Sequence, residues 1–371
     1  GAYQALHSDL TIARQPWKEA GGSFGDPRLD ALAYAVLAPN PHNRQPWLIR
    51  LDGTDALTLF CDLDRLLPET DPPNRQITIG LGAFLELLRQ AAAQNGYRLE
   101  VTPFPEGEPQ PTLDERPVAH VAFVQDTEVI KDSLFGAALD RRTSRLPFDQ
   151  ERSVSAQALN RLDAALHADG GEFEWVNDAS NIAALKNICL EGWRIEAATP
   201  HTHEESVKLM RFGEKEINEN PDGISLSGPL MEGMRATGIM TREKMKDHSS
   251  RAYQGGMDYY NGLINSAMAF GWISTGGNTR ADQLNTGASW IRLQLAATRD
   301  GLAMHPLSQV LQEFPEMAEI FEEIHDFTGV RAPANNIDGR VQGLFRFGYA
   351  KSQGPAPRWL LSSRIIAADD S

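Results

Sequence analysis

The chain has 371 residues, 41% of them hydrophobic, and a formal net charge of −15. That length suits about two domains with a packed core, and the charge argues against a nucleic-acid binder. The dense basic cluster, "DRRTSR" at 140–145, is too short to track a duplex against an adverse overall field. No run of about eighteen apolar residues offers a membrane-spanning helix.

Residues 1–25 read as loop, closed by "GGSFGDP". From Asp26 the pattern "LDALAYAVL" predicts a helix, which gives way to the polar loop "APNPHNRQPW" at 38–47. The period-2 runs "WLIRL" and "ALTLFCD" flank the Asp-Gly turn of "DGTD" and predict a hairpin. "GAFLELLRQAAAQNG" predicts an amphipathic helix stopped by Gly96, and "YRLEVTPF" a strand after it. Residues 104–117, rich in Pro and Glu, read as a linker, and "VAHVAFV" as a further strand.

An internal repeat organises the rest. Under a shift of 205 residues "GAFLELLRQAAAQNGYRLEVTP" lies on "GASWIRLQLAATRDGLAMHPLS", so that Gly82 meets Gly287, Leu88 meets Leu293 and Gly96 meets Gly301. A weaker echo at another offset pairs "RLDALAYAVLA…PW" with "LNRLDAALHA…EW". The expectation is two tandem copies of one α+β unit, a first over 26–117 and a second over 118–371. From Trp47 to Gly82 is 35 residues, whereas from Trp175 to Gly287 is 112. The second copy therefore carries a long polar, helix-prone insertion at about 200–262, of the kind that forms lids over sites.

Other patterns carry less. "GLGAFL" at 80–85 lacks the third glycine of a dinucleotide fingerprint, and the repeat accounts for Gly82 as a helix-start residue. "HTHEE" at 201–205 has metal-ligand types, but in a charged insertion with its histidines two apart, so no metal site is expected. Cys61 and Cys189 stand alone, indicating neither a zinc site nor a disulfide framework. No GxSxG and no His/Cys pairing suggests a nucleophile.

Three motifs carry a resemblance. "APNPHNRQPW" resembles the Pro-Ser-x-x-Asn-x-Gln-Pro-Trp loop of FMN-dependent nitroreductases, "RRTSR" their Arg-Arg-Ser-x-Arg phosphate-binding start, and "FRFGYAKSQGPAPRW" their closing strand and late arginine. The fused arrangement with an insertion resembles the Acg-like branch, over roughly Asp26 to Arg364. The resemblance implies an α+β nitroreductase-like fold in which two copies form an intrachain pseudo-dimer with a helical lid. It implies FMN between them, its phosphate held by Arg141, Thr143, Arg145 and Arg358, with Arg142 as a further candidate and Arg364 a weaker substitute for Arg358. Guanidinium forks and a hydroxyl suit a phosphate dianion; the same cluster also suits a solvated basic turn.

By the same resemblance Pro39, Asn40 and Pro41 pass beside the flavin ring, and Asn43 bonds its polar edge. The backbone of Pro306, Leu307, Ser308 and Gln309, within "HPLSQ", faces the N5 edge. The sequence departs from the family at Asn40 and Pro41, where serines are usual, and at Ser308 and Gln309, where Glu-Gly is common. The implied activity is two-electron transfer through FMN to a small acceptor, nitroaromatic- or quinone-like, with no catalytic side chain demanded. The electron donor is open, NAD(P)H among the candidates; the alternative is a flavin-sequestering protein with little NAD(P)H turnover. The clamp occurs only before the second copy and the loop only in the first, so one FMN per chain and a monomeric pseudo-dimer are expected. Location is open: the sequence starts at Gly1 without methionine, which permits a removed export signal, and an exported or periplasmic placement is put ahead of a cytoplasmic one.

Overall fold

The structure, a computed structural model, describes residues 9–166, 170–330 and 339–367. The chain runs α1 (Gln15–Glu19), α2 (Pro27–Ala35), β1 (Trp47–Asp52), β2 (Ala56–Cys61), α3 (Arg75–Gln94), β3 (Tyr97–Pro103), β4 (Ala119–Gln125), α4 (Ala156–Asp163), β5 (Glu172–Val176) and α5 (Ala179–Ala198). The insertion follows as α6 (Pro200–Leu209), β6 (Met210–Phe212), α7 (Gly213–Glu219), β7 (Ile224–Leu226), α8 (Pro229–Ala236), α9 (Arg242–Lys246) and α10 (Arg251–Asn265). Then come β8 (Ala269–Thr275), α11 (Arg280–Arg299), β9 (Ala303–Pro306), α12 (Ala318–Thr328), β10 (Arg340–Gly348) and β11 (Ile365–Ile366).

The fold is α+β. One sheet has the order β11-β1-β2-β4-β3 and a second β5-β8-β10-β9, with β6-β7 a small ribbon in the insertion. In both larger sheets the four strands met in succession pair antiparallel in the spatial order first, second, fourth, third, with a long helix between second and third. The expected hairpin forms, Trp47 opposite Cys61 through Asp52 opposite Ala56. The tail strand β11 adds to its edge, Ile49 opposite Ile365.

The expected boundary between 117 and 118 does not separate the sheets. β4 lies beyond it, yet sits between β2 and β3 in the first sheet, so the Pro-rich stretch 104–117 is an excursion within one unit. The helix expected from Gly82 starts seven residues earlier, at Arg75. Asp71 accepts hydrogen bonds from the Gln76 and Ile77 amides at 3.1 and 2.9 Å, satisfying donors that a helix start leaves free. α11 closes its own start with a reciprocal Thr279–Asp282 capping box.

α3 and α11 are both 20 residues long, and their ends are 205 residues apart at both termini. They cross in the middle of the main core. A Cβ on Gly82 would sit 2.0 Å from the Leu284 carbonyl oxygen, and one on Gly287 2.0 Å from the Ile79 carbonyl oxygen, so only glycine permits the backbone approach. Ile79 and Leu284 are themselves 205 apart. The first arginine of each helix is buried and reaches across: Arg75 bonds Glu313 and the Leu311 carbonyl, and Arg280 bonds the Pro109 and Pro111 carbonyls.

The insertion has its own small core of Val207, Phe212, Met245 and Ala252, and its last helix runs on to Asn265 rather than about 262. It is fastened to the rest of the chain by polar contacts. Asp222 is 2.7 Å from both Arg65 and Arg211 and accepts from the Trp359 indole at 3.3 Å. Glu205 accepts from the Glu69 and Thr70 amides, and Asn218 bonds the backbone of Asp9 and Ala13.

Candidate flavin site

The loop 38–47 is shaped by three non-glycine residues in the left-handed region: His42, Asn43 and Gln45 at φ 46, 51 and 54°. Asparagine tolerates that region, and several such residues together mark a segment whose surroundings over-determine it. Asn40 closes the turn, donating to the Ala38 carbonyl at 3.1 Å and accepting from the Gln45 amide at 2.7 Å. Gln45, fully buried, donates to the Pro221 carbonyl and accepts from the Trp359 amide, both at 2.8 Å. Gly80 in the second turn of α3 leaves room for Asn40 and Pro41 to lie against the helix, where a Cβ would come within 3.1–3.2 Å of both.

Asn43 does not present its amide to an open edge. Its Nδ2 donates to the Pro357 carbonyl at 3.0 Å, and its Oδ1 accepts from Arg358 at 2.6 Å. Arg358 in turn spends every donor inside the protein. Nε meets Val36, one terminal nitrogen meets Leu37 and Ala38, and the other meets Pro357 and Asn43. The Val36, Leu37 and Ala38 carbonyls follow directly on the end of α2, and an arginine fork fits them as well as it fits a phosphate. Arg358 therefore braces the stretch after α2 and ties it to Asn43 of the loop.

The basic segment divides in the same way. Arg141 is buried and donates to the Leu37 carbonyl and to Gln294, at 3.0 and 3.1 Å; burial lowers its pKa to about 9. Arg142 donates to the carbonyls of Leu139, Arg141 and Gln353 and lies over the Trp17 ring. The Thr143 hydroxyl accepts from Gln294 at 3.1 Å. Arg145 is the exception: among the described residues its guanidinium has no hydrogen-bond or ion-pair partner. Its backbone is pinned, with the carbonyl accepting from the Tyr259 hydroxyl at 2.7 Å. Arg364, the weaker substitute, pairs with Asp62 at 2.9 Å.

Arg145 faces residues that the motifs do not single out. Its charge acts on His42, His305 and Tyr260. His305 accepts at Nδ1 from Arg346 at 2.9 Å, which fixes the tautomer with its proton on Nε2. Burial, with Arg346 and Arg145 adding, holds this imidazole well below its ordinary pKa, so it is a neutral donor. Tyr260 stacks on Trp193 (centroids 4.3 Å, 29°), accepts from the Gln309 side chain at 2.8 Å, and is pushed up to about 12 by burial.

Within the "HPLSQ" turn the backbone is unevenly available. Pro306 has no N–H, and the Leu307 amide donates to the Leu344 carbonyl at 2.8 Å. The Ser308 and Gln309 amides open a short 3-10 turn (Ser308–Leu311) and donate to no group among the described residues. Gln76, in the first turn of α3, bonds the Ser308 carbonyl at 3.3 Å and draws this turn toward the helix that carries the loop. Buried side-chain atoms left without partners include His42 Nδ1, Ser144 Oγ and Trp193 Nε1. Arg145 thus acts on His42, His305 and Tyr260, the last of them bonded to Gln309, while the side chains of Asn43, Arg141 and Arg358 bond to protein oxygens or nitrogens. His305 stood within a quoted motif; Tyr260 and Trp193 had no sequence signal, since their pairing joins α10 to α5.

No family model matches the chain. An uncharacterized protein of Mycobacterium tuberculosis is 36% identical to it over 127 residues, 32% of this chain and 35% of that protein. The Acg protein of the same organism, provisionally named an NAD(P)H nitroreductase, is 38% identical over 119 residues, 32% of this chain and 34% of that protein. The chain is related to the nitroreductase family. It spans about a third of the length of these family relatives. Among solved structures, a nitroreductase-type protein of Anabaena variabilis aligns over 94% of this chain and 98% of its own, at 11% identity and a TM-score of 0.47. The FMN-dependent nitroreductase NfnB of Mycobacterium smegmatis, solved with NADPH, aligns over 60% of this chain and 92% of its own, at 18% identity and a TM-score of 0.36.

Proposed function

We propose that the chain is an FMN-dependent oxidoreductase that passes two electrons to a small acceptor, nitroaromatic- or quinone-like. What supports this reading is a set of polar groups unspent among the described residues, the Arg145 guanidinium, the Ser308 and Gln309 amides and His42 Nδ1, with Arg145 acting on His42 and on Tyr260, to which Gln309 is bonded. Such a set suits a ligand with one anionic end and a flat polar ring, so the residues fit FMN. Bound there, FMN would supply the electron-transfer chemistry. Arg145 would carry the main charge contact, Pro39, Asn40 and Pro41 would edge the ring, and the Ser308 and Gln309 amides would bind its other polar side. Pro306 and Leu307 would set that turn, while Arg141, Arg142 and Thr143 would shape the segment bearing Arg145. Arg358 would hold Asn43 and the end of α2 in register.

The site in this reading lies between two copies of one unit forming an intrachain pseudo-dimer. Support comes from the shared strand order, the equal lengths of α3 and α11, and the reciprocal glycine contact. A second reading, a flavin-sequestering protein with slow turnover, is favoured by the fastening of the insertion through Asp222. A lid held by buried ion pairs would restrict access of a bulky donor. The deciding experiment has two steps. Flavin released by denaturation is identified by mass and counted against protein, with one FMN per chain expected. Anaerobic mixing with NADH or NADPH then follows the oxidised flavin absorbance. Bleaching supports the reductase; reduction by dithionite alone supports sequestration, and no flavin at all refutes both.

A further inference from the structure

His42 has no assigned role above, yet it is the most unusual group of the loop. It sits at φ 46°, in the left-handed region that few non-glycine residues adopt. Its Nδ1 is buried and has no partner. The charges that act on it are Arg145, from the basic segment, and Arg44, from its own loop; no carboxylate is among them. Arg44 is spent on the carbonyls of Asp64 and Arg65 and lies 3.8 Å from Asp222. Arg145 is not spent. Burial first, then these two cations, depress the imidazole to about 4, so it is neutral at pH 6–8.

A buried polar atom without a partner costs about 1–3 kcal/mol. A fold that keeps one in the field of a guanidinium unpaired among the described residues, with no carboxylate among the charges acting on the imidazole, provides a positive potential at a buried atom. We propose that His42 and Arg145 together bind an oxyanion, a phosphate monoester or a carboxylate, and that His42 takes up a proton as it binds. An anion within hydrogen-bond distance reverses the electrostatic balance that empties the imidazole and raises its pKa. The proton comes from solvent, and no bond within the ligand is broken. Two sources share this chemistry: the phosphate of FMN, which rests on the flavin reading above, and the acidic group of an acceptor, which does not need it.

The sign follows from linkage. With the free imidazole titrating near 4 and the bound one higher, proton uptake occurs between the two values, and affinity falls as pH rises through that window. Calorimetric titrations at pH 6, in two buffers of different ionisation enthalpy, read the uptake directly. The deflavinated protein is titrated with FMN and with riboflavin, and the protein as purified with p-nitrobenzoate and with nitrobenzene. His42→Asn is the variant, because asparagine tolerates the left-handed backbone but cannot become a cation. Uptake with FMN but not riboflavin, lost in His42→Asn together with about tenfold or more of the affinity, supports the phosphate as the anion. His42-dependent uptake with p-nitrobenzoate but not nitrobenzene supports an acidic acceptor. Neither anion showing His42-dependent uptake overturns the inference, even where FMN binds normally. Failure of the folded wild-type protein to bind FMN refutes the flavin reading and leaves the p-nitrobenzoate titration to decide this one. Arg145→Gln, which keeps a donor without charge, is expected to lower anion affinity about tenfold to a hundredfold and to diminish the uptake.

Discussion

Gly82 of α3 and Gly287 of α11 meet face to face: a Cβ built on Gly287 would lie 2.7 Å from the Gly82 Cα. The contact is reciprocal under the 205-residue shift, since each glycine also faces the carbonyl four residues or fewer before the other, Leu284 and Ile79. A crossing this close brings both sheets' helices into one core, and it places the first turns of α3 beside the loop and the 308–309 turn. Gly82→Ala or Gly287→Ala has no flexible side chain to displace, only backbone, and is expected to cost about 3 kcal/mol, at the upper end of overpacking effects. Gly80→Ala, whose Cβ meets Asn40 and Pro41 at 3.1–3.2 Å, should cost less in stability and more in flavin affinity. Thermal or urea unfolding with flavin titration separates the two; equal stability losses at positions 80 and 82 would contradict the account.

The arginines of the site predict a split. The Arg145 guanidinium has no partner among the described residues, so Arg145→Ala should change unfolding stability by no more than about 0.5 kcal/mol. FMN affinity should drop about tenfold to a hundredfold, the worth of one charge-assisted hydrogen bond. Arg358 braces the stretch after α2 through three hydrogen bonds, to Val36, Leu37 and Ala38, and bonds Asn43 and Pro357 with two more. Arg358→Ala should cost about 3 kcal/mol of stability by stranding buried carbonyls. A stable Arg358→Ala protein that had lost only flavin binding would restore the phosphate role to Arg358.

Asp222 is expected to be the fastening of the insertion. Asp222→Asn leaves Arg211 without a counter-charge and Arg65 with Asp62 alone, and should loosen the segment by about 3 kcal/mol, seen as faster proteolytic cleavage between β6 and α9. Burial alone would raise this carboxyl's pKa, but Arg211, the Trp359 indole and Arg65 outweigh it and hold it below the ordinary value. A depressed carboxylate stabilises above its unfolded pKa, so the fastening should be constant from pH 6 to 8 and fail only as pH falls below about 4. Cleavage rates that change between pH 6 and 8 would argue against it.

Glu196 on α5 has the opposite sign. It is buried with no cation beside it, accepting from Gln312 at 3.0 Å and Ser206 at 3.3 Å, and burial raises its pKa to about 7. A raised carboxyl binds its proton more tightly folded than unfolded. Its stabilising effect is complete below about pH 4 and is lost as pH rises toward 7, amounting to at most about 3 kcal/mol. Glu196→Gln keeps an acceptor for Gln312 and removes the charge, so it should raise the melting temperature at pH 8 and have little effect at pH 5. A larger gain at pH 5 would disprove the assignment.

The sequence by itself determined the local pieces. Alternation around Asp-Gly made the β1–β2 hairpin, helical periodicity made most of α3, and the 205-residue echo picked out the two helices that cross. The loop and the basic segment stood out in the sequence because their residue types are costly without a purpose. The start of α3 was not legible, since "RQITIGLG" is a poor helix former and is helical because Asp71 caps it and α11 buries it. Nor was the place of β4, since the linker-like stretch before it gives no sign that the strand returns to the middle of the first sheet. Above all, only the tertiary structure decided which arginine is free. Arg141, Arg145 and Arg358 are the same side chain, and a guanidinium binds a helix-end carbonyl as readily as an anion. The stretch after α2 takes most of Arg358 and part of Arg141, the Arg141 Nε staying buried without a partner, and leaves the Arg145 guanidinium unpaired among the described residues.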